Sequence, residues 1–110
     1  MSLEVGIEDF KKLDMRVGTV IRVERVPKSA KLFKLIVRLG EGVERQIITG
    51  LVGYYTEEEL LGKKIIVLAN LKPARIFGHM SQGMLLAAEI DGKLSLLTVD
   101  RDIPDGARVT

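Results

Sequence analysis

The chain has 110 residues, with 17 basic and 15 acidic side chains, one histidine and no cysteine, for a formal net charge of +2. This length suits one domain, the absence of cysteine excludes a disulfide framework or thiolate metal site, and a charge so close to zero does not by itself announce a polyanion partner. Hydrophobic residues at 46% and charged residues at 29% exclude a disordered chain, and neither a signal-peptide stretch before Asp14 nor a run near the ~18 apolar residues of a membrane span is present, so a cytoplasmic location is expected.

Leu3 to Leu13 places Leu3, Ile7, Phe10 and Leu13 at helical spacing, which predicts a short helix packed on the body. Met15 to Val26 is rich in β-branched residues and predicts a long strand, with Gly18 as a candidate bulge. Pro27 to Ala30 breaks it. In Leu32 to Leu39 the apolar Phe33, Leu35, Val37 and Leu39 alternate with Lys34, Ile36 and Arg38, predicting a second strand with Phe33 in the core. The basic residues there are also three or four apart, as on a helix, but Ile36, Val37 and the flanking Pro27 and Gly40 favour a strand. Glu41-Gly42 is a turn and Glu44 to Thr49 a third strand. Thr56 with Glu59 three residues later forms a capping box, and Gly62 marks the end of that short helix. Lys64 to Asn70 is a mostly apolar fourth strand, Pro73 to Gln82 an ordered loop, and Gly83 to Ile90 a fifth strand. Asp91-Gly92 is a hairpin turn leading into Lys93 to Val99, and Pro104-Asp105-Gly106 is a last turn. Five strands with a helix between the third and fourth is the element order of an OB-fold, a five-stranded Greek-key barrel. The expected class is therefore all-β, one domain over residues 1–110, with a core of about 14–90 and a C-terminal β extension of about 91–110 that covers an edge or pairs with another chain.

The basic residues are unevenly spread. Arg25, Lys28, Lys31, Lys34 and Arg38 stand in one stretch without an acid, and Lys63, Lys64, Lys72 and Arg75 in another. Together these are nine of the 17 basic residues, so a nearly neutral chain is expected to present one positive region. Catalysis finds little support. His79 has no carboxylate neighbours to complete a metal site, and the elbow-like His79-Met80-Ser81-Gln82-Gly83 would need Ser81 and His79, two residues apart, to serve each other. No glycine-rich phosphate loop of Walker or Rossmann pattern is present, and neither a cofactor nor a metal is expected. The stretch from Asn70 to Met84 instead sets Asn70, Lys72, Arg75, Ser81 and Gln82 in a loop free of carboxylates, a set suited to phosphate and 2′-hydroxyl contacts. Aromatic residues are only 5% of the chain, which argues against a single-strand binder built on many stacking platforms; Phe77 is the best stacking candidate.

The residues Asp9-Phe10-Lys11-Lys12-Leu13-Asp14-Met15-Arg16-Val17-Gly18, Pro27 to Leu32, Arg45-Gln46-Ile47, Tyr55 with Glu58-Glu59-Leu60, Gly62-Lys63, and Asn70-Leu71-Lys72-Pro73 followed by Gly78 and Ser81-Gln82-Gly83-Met84 carry a resemblance. Nearly end to end, the chain resembles the tRNA-binding domain at the C-terminus of methionyl-tRNA synthetases, which also occurs in free-standing structure-specific tRNA-binding proteins and in the endothelial monocyte-activating polypeptide family. The resemblance implies non-catalytic binding of tRNA as a shaped object. It further implies a homodimer built by the N-terminal segment and the extension, and a methionyl-tRNA synthetase catalytic chain as partner, this chain acting as a separate beta subunit or accessory factor. The tRNA-binding residues it implies are Lys31, Lys34, Arg45, Gln46, Asn70, Lys72, Arg75, Ser81 and Met84. Of these, Met84 fits either the site or the core. Arg75 stands where lysine is also usual in the family, so the charge is kept. The alternative is a CsaA-like secretion chaperone of the same fold that binds unfolded polypeptides; the basic loop and Asn70-Leu71-Lys72-Pro73 weigh against it.

Overall fold

A computed structural model describes residues 3–110. Its main element is a five-stranded sheet of β1 (Met15–Arg25), β2 (Phe33–Gly40), β3 (Val43–Thr49), β4 (Lys64–Leu68) and β7 (Met84–Leu85), in the order β3-β2-β1-β4-β7. The sheet is antiparallel at each pairing and curls so that β3 approaches β7, giving an OB-like half-barrel. Helix α2 (Glu57–Leu60) lies between β3 and β4, with the Thr56–Glu59 capping box formed at its start and Leu60 buried beneath it. Helix α1 (Ile7–Lys11) precedes the barrel. Two short hairpins complete the chain: β5 (Ala74–Ile76) with β6 (His79–Ser81), and β8 (Ala87–Ile90) with β9 (Lys93–Leu96). Among the described residues no helix is long and apolar enough to cross a membrane.

The apolar alternation of β2 sends Phe33, Leu35, Val37 and Leu39 into the barrel, where they meet Val20, Ile47, Leu51, Leu60, Ile65 and Val67. Strand β4 is buried on both faces, which explains its unbroken apolar run. Ile65 and Val67 join the main core, while Ile66 joins Met15 and Val17 in a second cluster covered by Phe10, Val99, Ala107 and Val109. The N-terminal helix and the C-terminal tail thus close the same outer face.

Three expectations are corrected. Gly18 is not a bulge: it pairs in regular register with Ile65, and the irregularity falls between Val20 and Arg22. A Cβ at Gly18 would sit 2.7 Å from side-chain atoms of Val37 and Leu39, so the glycine is required by the close passage of β2. The segment Pro73 to Gln82 is not a loop but the β5–β6 hairpin. The fifth strand from Gly83 to Ile90 is split. After Leu86 N–H donates to Ile66 O at 3.0 Å, the next carbonyl on that edge of β4, Lys64 O, accepts instead from Thr98 Oγ1 at 2.7 Å. The returning chain occupies the edge, and Ala87 onward pairs with β9.

The tail is held by one carboxylate. Asp105, whose side chain is 11% exposed, accepts from Thr19 Oγ1 at 2.6 Å, Arg38 Nε at 2.9 Å and Lys64 Nζ at 3.0 Å. Beyond it, Gly106 N–H donates to Val17 O, Val17 N–H to Ala107 O, and Val109 N–H to Met15 O, so residues 106–109 pair with the part of β1 that β2 leaves open. Burial pushes the Asp105 carboxyl up, but the hydrogen bonds from Thr19, Arg38 and Lys64 outweigh it and hold its pKa below the ordinary value. A carboxyl with a depressed folded-state pKa contributes stability that is complete above the unfolded pKa of about 4 and is lost as pH falls through the folded value. We therefore expect Asp105→Asn to cost about 1–3 kcal/mol at pH 7. Thermal unfolding of the two proteins should converge as pH is lowered from 5 towards 2; a gap that stays constant would contradict this role.

Candidate nucleic-acid interface

The β5–β6 hairpin reaches the free edge of β3 through side chains rather than a regular ladder. Ile48 N–H donates to Ser81 Oγ at 3.0 Å and Gln46 N–H to Gln82 Oε1 at 3.0 Å, while Gln82 N–H donates to Gln46 O at 2.7 Å. Gln46 Nε2 adds a bond to Met80 O at 2.9 Å. Each buried or half-buried strand amide needs an acceptor, and here two side chains supply it. Gly83 follows with φ of 135°, where a Cβ would lie 2.9 Å from Leu68 O, so only glycine lets the chain pass from this seam into β7.

A groove of about 390 Å³ opens beside the seam, lined by Arg45, Ala69, Asn70, Leu71, Lys72, Pro73 and Gln82. Three of the nine residues implied by the resemblance, Arg45, Asn70 and Lys72, therefore meet at one place. Arg75 is exposed on the adjoining hairpin, where its Nη1 donates to Gly78 O at 3.1 Å and braces the turn. Lys72 and Arg75 have no carboxylate partner among the described residues and are free to meet an anion. Asn70 also holds the chain together: its Oδ1 accepts from Asp14 N–H at 2.9 Å and its Nδ2 donates to Lys12 O at 2.7 Å, clamping the N-terminal segment to the rim.

The other implied residues are placed differently. Ser81 is 5% exposed, and its hydroxyl is engaged by Ile48 N–H and by Gly83 O at 3.3 Å, so it serves the seam. These main-chain partners also leave no role for Ser81 as a nucleophile paired with His79. Gln46 is likewise committed to the seam, and Met84 stands exposed on β7 opposite Leu68. Lys31 and Lys34 lie towards the other end of the barrel. Lys34 Nζ is 3.8 Å from Glu24, and Lys31 borders a separate groove of about 590 Å³ with Thr49, Gly53 and Glu89. Arg45 and Thr49 are four residues apart on β3, roughly 13 Å at the usual strand rise.

The positive region expected from sequence is thus divided. Arg38 and Lys64 are engaged by Asp105 and Lys34 faces Glu24, while Arg45, Lys72 and Arg75 at the groove and hairpin have no carboxylate partner among the described residues. Sequence reading missed Asp14 at its rim. The hydrogen bond from Arg16 Nε at 2.7 Å, against the opposing effect of burial and with help from the charges of Arg108 and Arg45, holds the Asp14 carboxyl below its ordinary pKa. The acid is therefore masked by Arg16. Only the pairing of β1 with β4, not any local motif, brings Asp14 to Asn70. Among the described residues no three histidine, aspartate or glutamate side chains gather to hold a metal.

The seam yields a prediction that separates structure from binding. Ser81→Ala leaves the Ile48 amide unpaired in a buried setting and should cost about 1–3 kcal/mol of stability. Chemical denaturation would measure this loss; a change within about 0.3 kcal/mol of zero would show that the hydroxyl does not close the barrel.

Comparison with known proteins places the chain in a family. The family model described as "Putative tRNA binding domain" matches residues 15–108. A methionine–tRNA ligase of Archaeoglobus fulgidus is 54% identical over 106 residues, which cover 96% of this chain but 16% of that protein. The chain thus spans only a small part of the ligases it matches. Among solved structures, a MetRS related protein from Pyrococcus horikoshii is 44% identical, covers 100% of both chains and superposes with a TM-score of 0.92. The chaperone CsaA from Bacillus anthracis is 28% identical, covering 98% of this chain and 100% of its own, with a TM-score of 0.87. The chain belongs to the tRNA-binding-domain family and is homologous to a segment of methionine–tRNA ligases.

Proposed function

We propose that this chain binds tRNA as a folded object, without catalysing a reaction, as a cytoplasmic tRNA-binding (beta) subunit or accessory factor of methionyl-tRNA synthetase. The observation that carries this reading is the convergence of Arg45 and Lys72 on one groove with Arg75 on the braced hairpin beside it. Guanidinium and ammonium groups at the rim of a β-barrel suit phosphate oxygens, and Asn70 retains one amide proton and one lone pair for a ribose or base edge. Arg45, Lys72 and Arg75 with Lys31, towards the far end of the barrel, give about four phosphate contacts. Raising the salt from 50 to 200 mM should then weaken binding on the order of 100-fold. Lys72→Ala and Arg75→Ala should each weaken binding of all tRNAs alike and reduce the salt slope by about 1. A salt-independent affinity, or a loss confined to one tRNA species, would contradict the reading.

The same proposal includes a homodimer. Leu3, Val5, Ile7 and Leu13 are exposed, and the neighbouring face formed by Phe10, Val99, Ile103 and Val109 is grooved and apolar. A second copy would bury this surface and set two RNA sites in one particle, raising affinity through effective concentration. Sedimentation at micromolar concentration should give twice the chain mass, and Ile7→Asp should shift it to the monomer; a wild-type monomer would refute the dimer. The chaperone reading is favoured by the likeness to CsaA and by the same apolar face. Tight binding of an unfolded polypeptide with no affinity for tRNA would favour it over ours.

A further inference from the structure

The β5–β6 hairpin carries a feature that phosphate binding does not require. Its two-residue turn is Phe77-Gly78, and both residues have positive φ, 52° and 84°. A two-residue hairpin turn of this kind prefers asparagine, aspartate or glycine at both positions. A phenylalanine held in the left-handed region is uncommon, and a strained residue at an exposed tip points to a use for its side chain. Phe77 is 55% exposed, the most exposed aromatic of the described residues. By contrast Phe33 is in the core, and Tyr55 is fixed by Leu96 N–H on its hydroxyl and by Lys63 over its ring. Arg75 ties the turn together through Gly78 O, so the ring is displayed on a braced support. From Asn70 to Ala88 the chain has no carboxylate, while Lys72 and Arg75 stand just before the tip.

A flat apolar face two residues beyond Arg75 on the same hairpin, with Lys72 in the groove at its base, matches a nucleotide, whose base is planar and whose phosphate is anionic. We propose that Phe77 is a stacking platform for one unpaired base of the bound RNA, with Lys72 and Arg75 engaging the phosphates that flank it. This rests on the tRNA-binding reading and adds to it a contact that recognises an unstacked nucleotide rather than charge or helical shape. An apolar peptide segment would be the rival occupant, but it gives no account of the two cations.

The chain contains no tryptophan, so Phe77→Trp introduces a single reporter at the tip. Its emission should be quenched by folded tRNA and not by a blunt RNA duplex of similar charge. Phe77→Asn suits the turn and should melt at or above the wild-type temperature while binding tRNA about 5- to 100-fold more weakly, with an unchanged salt slope because no charge is lost. If the wild type binds tRNA and Phe77→Asn binds it equally, the stacking role is overturned and the tRNA-binding reading stands. The same holds if the indole emission of the Phe77→Trp protein ignores saturating tRNA or responds to an unfolded peptide instead. If the wild type itself fails to bind tRNA, both are overturned.

Discussion

The site depends on how the barrel meets its one irregular seam. An edge strand with open amides must find acceptors, and β3 finds them in Ser81 Oγ and Gln82 Oε1 rather than in a regular partner strand. Because the acceptors belong to side chains, the backbone that carries them is free to project as a hairpin. The same contacts that satisfy Gln46 and Ile48 therefore set Lys72 at the groove and Arg75 and Phe77 beyond it. A continuous ladder along β3 would satisfy the same amides and leave no projection to hold a ligand.

The second constraint is electrostatic. Cations that look alike in sequence are used in two ways. Arg38 and Lys64 neutralise Asp105 and fasten the tail against β1, whereas Lys72 and Arg75 have no acid to satisfy among the described residues. Salt bridges at the exposed surface contribute little to stability, but a carboxylate held by three donors at a half-buried point fixes where a segment lies. The tail placed by Asp105 covers Met15, Val17 and Ile66 together with Phe10, and the outer edge of this cover is the apolar face assigned to a second copy. Fold closure and the proposed assembly thus share residues, while the groove proposed for RNA is left to a separate set.

Much of this was legible in the chain itself. The alternation of β2, the capping box at Thr56 and the turn at Asp91-Gly92 each have a local physical signature, and each appears where its signature lies. The hairpin at Phe77-Gly78 was hidden because phenylalanine is the wrong residue for its turn, which is also why it attracts a functional reading. The division of the cations could not be read locally either. Asp105 is 67 residues from Arg38 and Asp14 is 56 from Asn70, and only the pairing of strands brings them together. Ser81 and Gln82 belonged to a polar set suited to RNA, yet main-chain groups elsewhere in the fold claim them first.

The central claim is that a shaped cationic groove, not charge alone, selects the ligand. It is tested most directly by titrating the protein side by side with folded tRNA, heat-denatured tRNA and duplex DNA of similar length at one ionic strength. The account requires folded tRNA to bind well above the other two. Equal affinity for all three, with heparin competing as well as tRNA, would contradict it.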